Sequence, residues 1–140
     1  MKITSFLVLL GLFMYPAFGA VGAESDAEKG ATKAAQTWLS LIDKGRYSQS
    51  WKEASAFFQG AVSEKNWEAS LGGVRRPLGK LVSRKVKTTK QATELPGAPD
   101  GQYVVMEFAT SFENKKSAIE TVTFMLEKDG KWKAAGYFIR

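Results

Sequence analysis

Arg75, Arg76, Lys80, Arg84, Lys85, Lys87 and Lys90 fall within residues 69–93, a run that contains no acidic side chain. Such a stretch could hold phosphate, lipopolysaccharide, acidic polysaccharide or nucleic acid by releasing counter-ions. No aromatic residue interleaves the charges as a base-stacking platform requires, so nucleic acid is not an expected partner. The same lysines suit an edge strand, where like charge discourages pairing with another sheet, and this guarding role is the favoured one.

A second candidate comes from strand phase. Arg84 shares the alternation of Val82 and Val86, and Glu120 shares that of Val122 and Phe124, so both charges are expected on the apolar side of a sheet. With Phe108 opposite both Val86 and Val122, antiparallel pairing aligns Arg84, Thr110 and Glu120 in one cross-strand row. A partly buried Arg–Glu pair there reads first as structural. Its functional alternative is a pocket mouth in which Arg84 holds an anionic ligand and Glu120 acts as a base, with Tyr103 and Tyr137 offering hydroxyls to the ligand. The aromatic residues, among them Trp38, Trp51, Trp67, Phe58, Phe108, Phe124 and Trp132, could line a cavity, but their periodicity assigns most of them to a core.

The chain has no cysteine and no histidine. That removes thiolate nucleophiles, Cys/His zinc sites, imidazole bases and the Ser-His-Asp triad. Any enzyme built from it uses a carboxylate, lysine or tyrosine, with Glu120 or Glu107 as the base. No cofactor and no metal site is implied, and Gly72-Gly73 and the glycines of 97–101 lack the strand-glycine-helix context of a phosphate loop.

These side chains need elements to position them. Ser25-Asp26-Ala27-Glu28 has capping-box spacing and starts a helix whose stripe is Ala31, Ala34, Ala35, Trp38, Leu41 and Ile42, with Gly45 as its left-handed stop. Tyr47, Trp51, Ala54 and Phe58 repeat the spacing in a second helix. Ser63 caps a third, which carries Trp67 and Leu71 and ends at Gly72-Gly73. After Pro77 the apolar period changes from helical to alternating. Val82 and Val86 mark a first strand, Val104 to Phe112 a second, and Val122 to Leu126 a third. Residues 95–101 contain two prolines and two glycines and form a loop between the first two. A three-residue turn with Gly130 left-handed pairs Leu126 with Trp132 and Phe124 with Ala134, whereas a two-residue Asp-Gly turn would set Trp132 against Glu127. Gly136 breaks the alternation once more. The fold class is therefore α+β, N-terminal helices on a four-stranded antiparallel meander, comparable with cystatin-like or nuclear-transport-factor-like cones.

Residues 1–23 read as an export signal: Lys2, the apolar stretch Phe6 to Phe13, and the small-residue site Val21-Gly22-Ala23. The longer apolar run from Phe6 to Val21 is broken by Pro16, Gly19 and Gly22 and falls short of the roughly 20 residues of a spanning helix, so cleavage is favoured over retention as a membrane anchor. Its removal leaves 117 of 140 residues, one domain spanning 24–140, and lowers the net charge from +6 to +5 because the leader holds one lysine and no acid. The expected location is periplasmic or secreted, with membrane contact only through the leader before cleavage. The blocks Trp38-Leu39-Ser40-Leu41-Ile42-Asp43, Tyr47-Ser48-Gln49-Ser50-Trp51, Arg76-Pro77-Leu78-Gly79, Leu95-Pro96-Gly97-Ala98-Pro99-Asp100-Gly101-Gln102-Tyr103 and Trp132-Lys133-Ala134-Ala135-Gly136-Tyr137 resemble the exported bacterial domain-of-unknown-function family numbered four thousand and nineteen. That resemblance implies export and a stand-alone domain, and it transfers no catalytic residue. The function expected is a non-catalytic exported domain that binds a partner protein or small ligand in the bacterial envelope. The alternatives are a carboxylate enzyme with a pocket near Glu120 and adhesion to an anionic envelope polymer through the 75–90 segment.

Overall fold

The computed structural model describes residues 24–140, so the leader expected over 1–23 lies outside the described residues. Four helices precede four strands: α1 (Asp26–Asp43), α2 (Tyr47–Lys52), α3 (Ala56–Ala61), α4 (Glu64–Leu78), β1 (Leu81–Ala92), β2 (Tyr103–Phe112), β3 (Lys115–Leu126) and β4 (Trp132–Ile139). The strands form one open antiparallel meander in the order β1-β2-β3-β4. This is the α+β arrangement expected from the change of period.

Helix α1 begins at the capping box, with the Glu28 amide donating to Ser25 Oγ at 3.1 Å and the Ser25 amide donating to Glu28 Oε1 at 3.4 Å. It ends in a Schellman motif. Gly45 adopts φ +75°, its amide donates to the Ile42 carbonyl at 3.0 Å, and the Arg46 amide donates to the Leu41 carbonyl at 2.8 Å. The buried stripe is Ala31, Ala35, Trp38, Leu39 and Ile42, while Leu41 and Ala34 sit at its margin.

Two helical boundaries differ from expectation. The single second helix is broken into α2 and α3, because Ser55 caps a new start: the Phe58 amide donates to its Oγ at 3.1 Å, and its own amide donates to the Ala134 carbonyl at 2.9 Å. The third expected helix does start at Ser63, but as α4 it runs through Gly72-Gly73 and ends at Gly79, φ +75°. Two glycines cost a helix about 1 kcal/mol each relative to alanine. Here Arg75, held by contacts outside its own helix, keeps that last turn helical.

The helices cover one face of the sheet. Trp38, Phe58 and Trp67 meet Val104, Met106, Phe108, Val122, Phe124 and Tyr137 in the core, with Trp38 and Trp67 stacked at 6.1 Å and Trp38 edge-on to Tyr137 at 5.7 Å. The β3–β4 turn has the longer form. Leu126 pairs with Trp132 and Phe124 with Ala134, Gly130 takes φ +82°, and a register shift before Thr123↔Gly136 absorbs the change of phase.

Strand β1 departs from simple alternation. A register shift between Leu81 and Ser83 leaves Val82 67% exposed, and Val86, though opposite Phe108, is 42% exposed at the sheet edge. Neither valine is core. Leu81 instead takes the place opposite Phe112.

Candidate functional site

Beneath the last turns of α1 and α4, three polar side chains close on Glu120, whose residue is fully buried, and two more extend the cluster. Arg84 Nε donates to Glu120 Oε1 at 2.7 Å and Arg84 Nη2 to Oε2 at 3.2 Å. Thr110 Oγ1 donates to Oε1 at 2.6 Å, and the Tyr137 hydroxyl donates to Oε2. Four donors on two oxygens fill the acceptor sites of a carboxylate. The other edge of the Arg84 guanidinium grips Asp43, Nη1 to Oδ2 at 2.7 Å and Nη2 to Oδ1 at 2.9 Å. Arg75 Nη2 completes the chain by donating to Asp43 Oδ1 at 2.8 Å. Two carboxylates and two guanidiniums balance.

The electrostatics follow from this geometry. Burial alone would lower the Arg84 pKa, but the hydrogen bonds it donates to Asp43 and Glu120, and their charges, outweigh it and raise the value above the ordinary range. Tyr137 is pushed well above its ordinary 10.0, first by burial and then by the neighbouring Glu120 charge. Its hydroxyl is thus a neutral donor. Arg75 Nε and Nη1 are buried without a hydrogen-bond partner among the described residues, and the guanidinium lies 4.3 Å from the Phe112 ring centroid. That cation–π contact offsets part of the missing hydration.

The expected Arg84–Thr110–Glu120 row is present as a cluster but in another register. Phe108 lies opposite Val86 on one side and Glu120, not Val122, on the other, so Glu120 reaches Thr110 diagonally. Tyr137 joins them from β4. Tyr103 does not: it starts β2, seven residues from Thr110, about 24 Å along a strand. It is buried there, with its hydroxyl donating to the Pro99 carbonyl.

The expected cationic patch is divided. Arg75, expected on the surface, is 4% exposed and belongs to the buried cluster, as Arg84 does, because both are drawn to Asp43. Arg76, Lys80, Lys85, Lys87 and Lys90 remain at the surface, with Lys85 opposite Ala109 and Lys90 opposite Val105 on the sheet face away from the helices. Glu107, the other carboxylate considered as a base, lies on that outer face, bound by Arg140 at 3.1 Å and by the Thr88 hydroxyl at 3.2 Å.

Asp43, and the inward place of Arg75, escaped the reading of residue types. Asp43 follows Leu39 by four and so falls on the buried stripe, at a helix C-terminus where the macrodipole disfavours an acid and no basic residue shares the last turn. Arg75 follows Trp67 and Leu71 by eight and four, a cation in an apolar stripe. Both were discoverable by continuing the helical period.

An open cleft of about 570 Å³ lies beside this cluster, where the α1–α2 turn meets α4. Arg46, Lys52 and Arg76 line it against a single acid, Glu68, with Tyr47 and Gln49 between them. Among the described residues, no group of three or more Asp or Glu could hold a metal ion. Nor is any described helix long and apolar enough to cross a membrane.

Fold and site together define a small α+β domain, helices over one face of an antiparallel meander, braced by an internal ionic cluster. The chain belongs to the DUF4019 family, proteins of unknown function, whose pattern matches residues 34–137. No curated protein matches it.

Proposed function

We propose that this is an exported, non-catalytic domain that works in the periplasm or outside the cell by binding an anionic small ligand or an acidic partner in the cleft of Arg46, Lys52 and Arg76. The reading rests on the contrast between a carboxylate with no free acceptor position and cations left open to solvent. Glu120 has no exposure and four donors, so it has no lone pair with which to take a substrate proton. The cleft instead offers three cations against one acid on a surface that ligand can reach. Export is supported by the leader pattern of residues 1–23.

The test is equilibrium binding of short polyanions, polyglutamate and polyphosphate, to the purified protein. Replacing Arg46 and Arg76 together by glutamine is expected to weaken binding roughly tenfold, with a shallower dependence on salt. Binding that is insensitive to salt or to this double substitution counts against the cleft. Adhesion through the β1 edge instead predicts that Lys85→Gln with Lys87→Gln abolishes retention while the cleft substitutions leave it intact.

A further inference from the structure

We infer that a second cleft, at the opposite end of the sheet, is a binding site for an uncharged, hydroxyl-rich ligand, a neutral glycan unit. This cleft of about 370 Å³ is lined by Gln91, Ala92, Thr93, Gln102, Tyr103 and Trp132. None of these carries a charge, although 24% of the chain is charged. The lining is an aromatic ring beside two primary amides and a hydroxyl, which is the complement of a pyranose: C–H groups for the ring face, hydroxyls for the amides.

Trp132 differs from the other tryptophans in its donor. Trp38 donates to the Ser50 carbonyl at 2.8 Å, Trp51 to the Val62 carbonyl at 2.8 Å, and Trp67 to Ser50 Oγ at 2.9 Å. The Trp132 indole N–H has no acceptor among the described residues, and neither the Gln102 amide nor the Thr93 hydroxyl has a partner there. The donor edge of the indole lies beside α1 at Gly30, where a Cβ would stand 3.2 Å from Trp132 Nε1, so glycine there sets how the ring sits at the cleft wall.

One polar group around it, the Gln91 amide, is fixed in advance. Gln91 Nε2 donates to Ser25 Oγ at 2.7 Å and to Glu28 Oε1 at 3.3 Å, which leaves its Oε1 as an oriented acceptor. The rim loop is tied down by the Tyr103 hydroxyl on the Pro99 carbonyl and by the Gly101 amide on the Thr93 carbonyl at 3.0 Å. Trp132 packs against the core while lining the cleft. A preordered site of this kind loses little entropy on binding.

The experiment is a titration of the purified protein with cellobiose and with N,N′-diacetylchitobiose, following the four indole N–H resonances by nuclear magnetic resonance. A saturable shift of the Trp132 signal alone, with either disaccharide, is expected, and the pair separates a plain from an acetamido sugar. Gln102→Ala, an exposed change, should weaken binding about tenfold, the effect of one good hydrogen bond. Gly30→Ala should displace the indole edge and reduce affinity while leaving the helix intact. No shift at about 10 mM of either sugar, well above the dissociation constants of useful sites, overturns the proposal. So does a shift unaffected by Gln102→Ala. Because the cation cleft shares no lining residue with this one, failure here leaves the polyanion result standing, and the reverse also holds.

Discussion

Arg84 and Lys85 are adjacent in β1, carry the same charge, and have opposite surroundings. Arg84 passes under the helices and makes two bidentate pairs, to Glu120 and to Asp43. Lys85 points to the outer face and stays exposed. The difference is set by strand alternation and by what waits on each side: a pair of buried acids on one, water on the other. A run of like charges in sequence is therefore two structures. One is a closed brace joining α1, α4 and all four strands; the other is a solvated edge.

Removing Arg84 should expose this difference most sharply. Arg84→Met keeps the length of the side chain but leaves Glu120 and Asp43 buried with one charged partner between them, so a loss of about 3–5 kcal/mol is expected in urea unfolding. Lys85→Met, one residue away, should change stability by no more than about 0.5 kcal/mol. Equal effects at the two positions would show that burial does not separate them. Glu120→Gln should cost less than Arg84→Met, about 2–3 kcal/mol, because Arg84 keeps Asp43 while losing its charged contacts to Glu120. If Glu120→Gln left stability unchanged but removed a catalytic turnover, the non-catalytic reading of the cluster would fail.

Tyr137 sharpens the comparison through pH. Its hydroxyl ionises well above 10.0 in the folded chain and near 10 in the unfolded one. Neutral Tyr137 therefore contributes its full stabilisation below about pH 10, and that contribution declines as the pH climbs toward the folded value, by about 1.4 kcal/mol per unit. Tyr137→Phe should cost about 1–2 kcal/mol at pH 7, and the gap between the two proteins should narrow between pH 10 and 11. A constant gap would place the Tyr137 hydroxyl in water rather than on Glu120.

How far the sequence carried these features depends on whether the signal was local. The Ser25 capping box, the Gly45 stop and the three-residue turn at Gly130 were legible because each is decided within a few residues by backbone chemistry. The turn also fixed the β3–β4 pairing, since only one loop length sets Trp132 beside Leu126. Val82 is exposed through a register shift that leaves no mark on composition, whereas Val86 keeps its place opposite Phe108 and is exposed because β1 is the sheet edge. Arg84 and Glu120 were legible as inward charges, and their meeting survived a register error because a long guanidinium spans a diagonal. Asp43 and the buried place of Arg75 are written in the helical period rather than in residue type. For Arg75 that period runs past Gly72-Gly73, a local stop signal, to a side chain whose contacts with Asp43 and Phe112 come from distant parts of the chain.

The smallest stability effect belongs to the edge, and there its absence is the informative outcome. Lys85→Gln with Lys87→Gln should leave the urea midpoint within the scatter of repeat measurements, because exposed lysines on an edge strand contribute little to folding free energy. What should change is behaviour at high protein concentration. Among the described residues the backbone of β1 has one neighbour, β2, so its other edge can pair with another sheet unless charge repels it. Light scattering that rises in the double variant at unchanged stability assigns these lysines to protection of the edge. Unchanged scattering together with lost retention on an anionic polymer would assign them to adhesion instead, and would make the solvated half of the basic run, rather than the cleft beside the brace, the part of the surface that meets a partner.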